Sequence, residues 1–90
     1  MLRLIILLGL LATGVFGQMR MSVAQLKSFI SSSKQLNHDD KKVADFLKRV
    51  KLTERLDAGT FEELQAAGAG PKSVEILREL REASKDLPLP

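Results

Sequence analysis

Residues 60–81, TFEELQAAGAGPKSVEILRELR, decide the fold because they combine two helical patterns with the residues that end and begin helices. Thr60 and Glu63 have the spacing of a capping box, in which each side chain accepts a hydrogen bond from a free backbone N–H at a helix start. Gly68 and Gly70 predict the end of that helix, since glycine readily adopts the left-handed conformation found after helix C-termini.

The second helix of this stretch is expected to begin at Pro71, whose fixed φ suits a first helical turn. Its apolar and charged residues project onto opposite halves of a helical wheel. The apolar residues are Val74, Ile76, Leu77, Leu80 and Ala83. The charged residues are Lys72, Glu75, Arg78, Glu79 and Glu82. The stretch therefore predicts a helical hairpin with one buried face.

Two earlier helices are predicted from the same signals. The first begins after a capping box at Ser22, covers about residues 23–31 and is expected to end at the serines 31–33, whose side chains compete for backbone hydrogen bonds. Asn37 or Asp39 is expected to cap the second. Its apolar residues recur at helical spacing, and they are Val43, Phe46, Leu47 and Val50.

An all-α fold of four short helices in two hairpins follows, because no stretch shows the alternation of a strand. The helix-start pattern at Ser22 recurs at Thr60, which favours two hairpins packed face to face; chance similarity between amphipathic helices is the alternative. Leu52 and Leu56, in the link before the third helix, are expected to pack beneath the helices. The expected core consists of Leu47, Leu64, Leu77 and Leu80 with Phe29 and Phe46.

The first seventeen residues have the organisation of a signal peptide. Arg3 gives a basic start, residues 4–16 form an apolar run, and Gly17 precedes the expected cleavage point. The protein is therefore expected to be exported, as a periplasmic or secreted protein. An uncleaved anchor is the alternative, although the run is shorter than the roughly 20 residues that a spanning helix needs.

These boundaries give a signal peptide at 1–17, a small helical domain at 18–84 and an extended tail at 85–90, which contains two prolines. The chain has no cysteine, so the domain must be stabilised by packing rather than by disulfides. Residues 18–55 hold nine basic and four acidic residues, a net charge of +5, whereas residues 56–90 hold four basic and seven acidic residues, a net charge of −3. The two halves thus present opposite charge to a partner.

Between Leu64 and Val74 the sequence LQAAGAGPKSV resembles the helix-hairpin-helix motif. The resemblance implies that hairpin amides and the start of the second helix bind DNA phosphate without reading base sequence. The residues carried over are Gly68, Gly70, Lys72 and Ser73. Ala69 departs from the larger apolar residue of the motif, and nearby glutamates would repel phosphate.

The chain also resembles small exported helical domains of uncharacterised bacterial proteins, in which two short helices, a Leu-Thr-x-x-Leu link and a similar hairpin follow one another. The matching residues are Leu52, Thr53, Leu56, Glu63, Leu64, Gly68, Gly70, Pro71 and Val74. This resemblance implies the fold and the exported location. It does not point to a particular activity.

Enzyme signatures are missing from the sequence. His38 is the only histidine and is expected in a solvated loop, and neighbouring carboxylates such as Asp39 and Asp40 diverge on a helix rather than converging as an acid and a base. No cofactor or metal is expected. The protein is therefore predicted to be a non-catalytic binding module for a protein partner, with oligomeric state left open.

Two alternatives use the basic residues. Sequence-independent DNA binding would use the hairpin or a basic surface, and attachment to an anionic membrane surface would use that surface alone. The basic surface consists of Lys41, Lys42, Lys48, Arg49 and Lys51. Asp39, Asp40 and Asp45 interrupt it, which also fits an ordinary solvated face.

Overall fold

A computed structural model describes residues 19–90, so the predicted signal peptide lies outside the described residues. The elements in chain order are β1 (Met19–Met21), α1 (Val23–Gln35), α2 (Asp40–Leu47), β2 (Val50–Leu52), α3 (Ala58–Ala66) and α4 (Pro71–Ala83). The four helices confirm the predicted, mostly helical fold. α4 packs against both α2 and α3 and so connects the two halves of the domain.

A short parallel strand pair was not predicted. β1 pairs with β2, with Met19 opposite Val50 and Met21 opposite Leu52. In β2 the flanking Val50 and Leu52 are buried and Lys51 is exposed, but three residues are too few for this alternation to stand out in a sequence. The expectation that the chain contains no strand was wrong, and Val50 belongs to β2 rather than to the preceding helix.

The capping box that begins α1 is confirmed. The Gln25 amide donates to Ser22 Oγ at 3.1 Å, and the Ser22 amide donates to Gln25 Oε1 at 2.8 Å. The predicted end at the serines was wrong, because α1 continues to Gln35. Ser33 lies on the same buried face as Ile30, and packing of this face outweighs the weak preference of serine for turns.

The starts of α2 and α3 differ in how they are capped. Asp39 occupies the N-cap position of α2, as one alternative predicted, but its side chain makes no capping hydrogen bond. α3 begins at Ala58, because Asp57 Oδ1 accepts a hydrogen bond from the Thr60 amide at 2.8 Å. The predicted capping box at Thr60 and Glu63 was therefore wrong: aspartate is a stronger N-cap than threonine, and it lies three residues earlier.

The hairpin between α3 and α4 follows the prediction. Gly68 has a φ of 112°, the left-handed region that favours glycine, and Pro71 is the first residue of α4. Ile76, Leu77 and Leu80 of α4 are buried. Ala83, placed on the apolar face from sequence, is exposed instead.

The core confirms most of the predicted apolar contacts. The four predicted leucines are buried, as are Leu52, Leu56 and Phe61. The buried cluster consists of Leu26, Ile30, Val43, Ala44, Leu47, Val50, Leu52, Leu56, Phe61, Leu64, Ile76, Leu77 and Leu80. Phe29 and Phe46 pack against its edge and are only partly buried.

The segment after α4 folds back on the link before α3. Ser84 Oγ accepts a hydrogen bond from the Leu56 amide at 3.0 Å, and Pro88 O accepts one from the Arg55 amide at 2.9 Å. The sequence predicted an extended tail from Lys85. Residues 84–86 form a turn, and the chain is irregular only in residues 88–90. These contacts hold Arg55 against the C-terminal end of α4.

Candidate functional site

Asp40, the first residue of α2, binds the N-terminus of α4 through its side chain. Its Oδ2 accepts a hydrogen bond from the Lys72 amide at 2.8 Å, and its Oδ1 accepts from the Ser73 amide at 3.1 Å and from Ser73 Oγ at 2.7 Å. The N-cap residue of α4 is Gly70, which has no side chain for capping. Asp40 therefore supplies from another helix the acceptor that the free amides of α4 require.

This arrangement changes the acidity of Asp40. Partial burial opposes ionisation, but the Ser73 hydroxyl, the two amides of α4 and the Lys72 ammonium together outweigh it and lower the pKa of the Asp40 carboxyl. The carboxylate is also favoured by the positive end of the α4 dipole. Asp40 is consequently held in its ionised, hydrogen-bonded form.

Both hairpin glycines accommodate side chains from the first half of the chain. A Cβ atom at Gly70 would lie 2.5 Å from Cγ and Oδ1 of Asp40. A Cβ atom at Gly68 would lie 2.7 Å from Cδ of Lys34. These separations are far inside van der Waals contact, so the hairpin can meet Lys34 and Asp40 this closely only because it lacks side chains at both positions.

The residues predicted to contact phosphate do come together at the start of α4. Gly68 and Gly70 form the hairpin, Lys72 is exposed, and Ser73 is only 1% exposed. The amides of Lys72 and Ser73 already donate to Asp40. A phosphate group would have to displace that carboxylate to reach them.

A cleft of about 160 Å³ lies beside this contact, between the end of α1 and the hairpin. Asn37, in the loop at its edge, has a φ of 56°, which asparagine tolerates better than most residues. His38 follows it and is exposed, as expected for a loop residue. Further lining residues are Ile30, Ser33, Lys34, Asp40, Val43, Gly68, Ala69, Gly70 and Ser73.

The five predicted basic residues are all exposed, but they do not share one helical face. Lys51 lies on β2, whereas Lys41 lies in the first turn of α2. Asp45 pairs with Lys41 at 3.2 Å and with Lys48 at 3.7 Å, and a hydrogen bond from Lys41 is the main cause of the lowered pKa of the Asp45 carboxyl. Within residues 19–90, Lys42, Arg49 and Lys51 have no such ion pair.

Phe29 of α1 and Phe46 of α2 form a half-buried aromatic pair, which we call the Phe29–Phe46 patch. Their ring centroids lie 4.5 Å apart with planes inclined at 32°. A groove of about 510 Å³ crosses the pair. Its lining residues are Phe29, Asn37, His38, Asp39, Lys42, Val43 and Phe46. The sequence assigned both phenylalanines to the core and did not indicate that their rings border a groove.

Titratable side chains do not converge on a metal site in the part of the chain that the structure describes. No group of three or more histidine, aspartate and glutamate side chains there is arranged to hold a metal ion. Asp39 and Asp40 face different surroundings, since only Asp40 contacts α4. None of the helices within residues 19–90 is long and apolar enough to cross a membrane.

Comparisons with family models, with curated proteins and with solved structures give no match to this chain. The Asp40 contact itself has no local sequence signal, because Asp40 and Lys72 are 32 residues apart. The glycine at the N-cap of α4 is the one indication that an acceptor must come from elsewhere.

Proposed function

We propose that this domain is a non-catalytic module that binds a protein partner through the Phe29–Phe46 patch. The observation that carries the proposal is the partial burial of two phenylalanine rings, packed against each other at a tilt, beside an open groove. Aromatic side chains contribute strongly to protein interfaces because they bury a large area with few rotatable bonds. A groove of this kind suits an apolar side chain of a partner.

The charge around the groove indicates the chemistry of the partner. Lys42 lines the groove one helical turn before Phe46, and it has no ion pair within residues 19–90. Arg49, a few residues further, is exposed and likewise free of ion pairs there. We therefore propose that the partner segment carries apolar side chains flanked by carboxylates, since rim charges of opposite sign guide association.

Sequence-independent DNA binding through the hairpin is the alternative. The contact between Asp40 and the α4 amides weighs against it, because the amides that would bind a phosphate already have an anionic partner. Attachment to an anionic membrane surface is weakened by Asp45, which pairs with two of the five basic residues. The first alternative predicts binding to duplex DNA alone, and the second predicts binding to anionic lipid vesicles alone.

Export after removal of residues 1–17 is the second part of the proposal, and it rests on the basic start and apolar run described above. The intact mass of the protein recovered from expressing bacteria decides it. A mature chain beginning near Gln18, in the periplasm or the medium, is expected. Recovery of the 90-residue chain from the cytosol would exclude it.

A titration with two defined peptides tests the binding proposal. The first peptide carries phenylalanine and leucine on one helical face with glutamate elsewhere, and the second replaces every glutamate with lysine. In heteronuclear NMR spectra, the acidic peptide is expected to shift the signals of Phe29, Val43 and Phe46. The basic peptide controls for apolar binding alone, and equal responses to both, or shifts confined to other residues, would refute the proposed surface.

A further inference from the structure

A second cleft, of about 620 Å³, lies between the start of α3 and the C-terminal half of α4. It brings a basic residue of the link before α3 together with three basic residues of α4 and the turn after it, and with two acidic residues. The basic lining residues are Arg55, Arg78, Arg81 and Lys85. The acidic lining residues are Asp57 and Glu82. Four positive and two negative charges leave the cleft with a net charge of +2, although residues 56–90 as a whole are acidic.

The two acidic residues are already engaged. Asp57 caps α3 by accepting from the Thr60 amide, and that hydrogen bond is the main cause of the lowered pKa of its carboxyl. Glu82 pairs with Lys85 at 2.8 Å. Arg78 and Arg81 have no carboxylate at ion-pair distance within residues 19–90. Their N–H groups are therefore available to a ligand.

The two arginines are positioned by an aromatic ring. The guanidinium carbon of Arg78 lies 5.8 Å from the centroid of the Phe61 ring, and that of Arg81 lies 5.7 Å from it. Phe61 is itself buried, so it holds a fixed position under both guanidinium groups. Cation–π contact of this kind leaves the N–H donors at the edge of each guanidinium group free to point elsewhere.

Arg55 is fixed on the other side of the cleft by the C-terminal turn. Its Nε donates to Leu87 O at 2.9 Å, and its amide donates to Pro88 O at 2.9 Å. The first bond constrains the side chain and the second constrains the backbone before any ligand binds, which reduces the entropy lost on binding. The N-terminus of α3, at Ala58, also borders the cleft, where the Asp57 carboxylate caps it.

We propose that this cleft binds a doubly charged anion of the phosphate-monoester class, with Arg78 and Arg81 as its principal ligands. Arginine matches the oxygens of a phosphate with two parallel N–H donors, and a phosphate monoester carries a charge of about −1.5 to −2 at pH 7. That charge matches the net charge of the cleft. The site is formed by α3, α4 and the C-terminal turn, whereas the Phe29–Phe46 patch is formed by α1 and α2.

Calorimetric titration with glycerol 3-phosphate and with inorganic phosphate tests the site on the chain as it is recovered after expression. Arg81→Gln and Arg78→Gln are each expected to weaken binding by about tenfold, since each removes charge-assisted hydrogen bonds. Arg20→Gln, an exposed arginine on β1 outside the cleft, is the matched control and should change the affinity less than about twofold. Arg81→Lys keeps the charge but loses the paired donors and the planar guanidinium over Phe61, so an intermediate loss is expected.

Vesicles of phosphatidylcholine with and without phosphatidic acid distinguish a lipid headgroup from a free ester as the source of the phosphate. Arginine-dependent binding to glycerol 3-phosphate alone identifies a soluble ester, and arginine-dependent binding to phosphatidic acid vesicles identifies a headgroup. The absence of binding to all of these probes would overturn the proposal. So would binding that Arg78→Gln, Arg81→Gln and Arg20→Gln weaken equally, because that result indicates unspecific attraction to positive charge.

Discussion

The carboxylate of Asp40 accepts two hydrogen bonds from Ser73, one from its amide at 3.1 Å and one from its hydroxyl at 2.7 Å. Through this contact the first turn of α2 caps the first turn of α4. Ser73 is almost fully buried, and its hydroxyl would lose its acceptor if Asp40 moved away. The contact therefore links the two halves of the domain and occupies the amides that would otherwise bind an anion.

Replacing Asp40 is expected to destabilise the domain in a pH-dependent way. Asp40→Ala should lower the free energy of unfolding by about 1–3 kcal/mol, the range for losing hydrogen bonds to a charged cap. The pKa of Asp40 is lowered in the folded state, so its stabilisation is present above the unfolded pKa of about 3.9 and is lost as the pH falls through the folded value. The stability difference between the wild type and Asp40→Asn should accordingly shrink below about pH 4.

Thermal melts from acidic to neutral pH check this prediction. Asp39→Asn is the control, because Asp39 adjoins Asp40 but makes no capping hydrogen bond. A difference between wild type and Asp40→Asn that stays constant across this range would show that the Asp40 carboxylate does not stabilise α4.

Gly70→Ala is expected to destabilise the protein because its Cβ would collide with Asp40 rather than because of backbone strain. The φ of Gly70 is −80°, which alanine adopts without cost. The collision should largely vanish in an Asp40→Ala background, which gives a coupling energy of about 1 kcal/mol or more between the two changes. Gly59→Ala, where the nearest atom is Asp57 Oδ1 at 3.8 Å, should be neutral or stabilising by up to about 1 kcal/mol. Additive effects of Gly70→Ala and Asp40→Ala on the free energy of unfolding would refute this account of the hairpin.

Leu77→Ala should be among the most destabilising substitutions of α4. Leu77 is fully buried, and truncating such a leucine costs about 2–5 kcal/mol, a large share of the stability of a small domain. Glu79→Ala on the exposed face of the same helix should change stability by less than about 0.5 kcal/mol. Chemical denaturation measures both, and similar midpoints for the two variants would mean that α4 does not pack through Leu77.

Signals within a few residues of each other allowed most of the helices to be predicted. The capping box at Ser22, the glycines of the hairpin and Pro71 each act on adjacent backbone groups, so sequence spacing alone reveals them. The start of α3 was misplaced because Thr60 and Asp57 both qualify as caps, and only the structure shows which one accepts the hydrogen bond.

The features that matter for binding depend on contacts between distant residues. Asp40 accepts a hydrogen bond from the amide of Lys72, which lies 32 residues later in the chain. Arg55 lines the same cleft as Arg78 and Arg81 only after the link and α4 have folded. The sequence placed Arg78 on the solvated face of an acidic half, which gave no reason to expect a basic cleft. The net charge of a long segment averages over such clusters of side chains, so the clusters can be recognised only once the fold is known.

Duplex DNA is expected to bind weakly near physiological salt. If the hairpin bound phosphate, Lys72→Glu would weaken binding to every sequence alike and reduce the slope of log affinity against log salt by about 0.9. If the basic surface bound it, Lys42→Glu and Arg49→Glu would do so instead. Fluorescence anisotropy across salt concentrations separates these cases, and tight binding that depends on Lys72 would contradict the role assigned to Asp40.

The most direct test of the proposed protein-binding surface is a charge exchange across it. The affinities of the acidic and basic peptides are measured for the wild type, for Lys42→Glu and for Lys51→Glu, whose changed residue is exposed on β2 outside the groove. Lys42→Glu is predicted to weaken binding of the acidic peptide several-fold, by about the 1 kcal/mol of a surface ion pair, and to strengthen binding of the basic one. Lys51→Glu should leave the preference for the acidic peptide unchanged. Affinities for the two peptides that do not respond to Lys42→Glu would contradict the account.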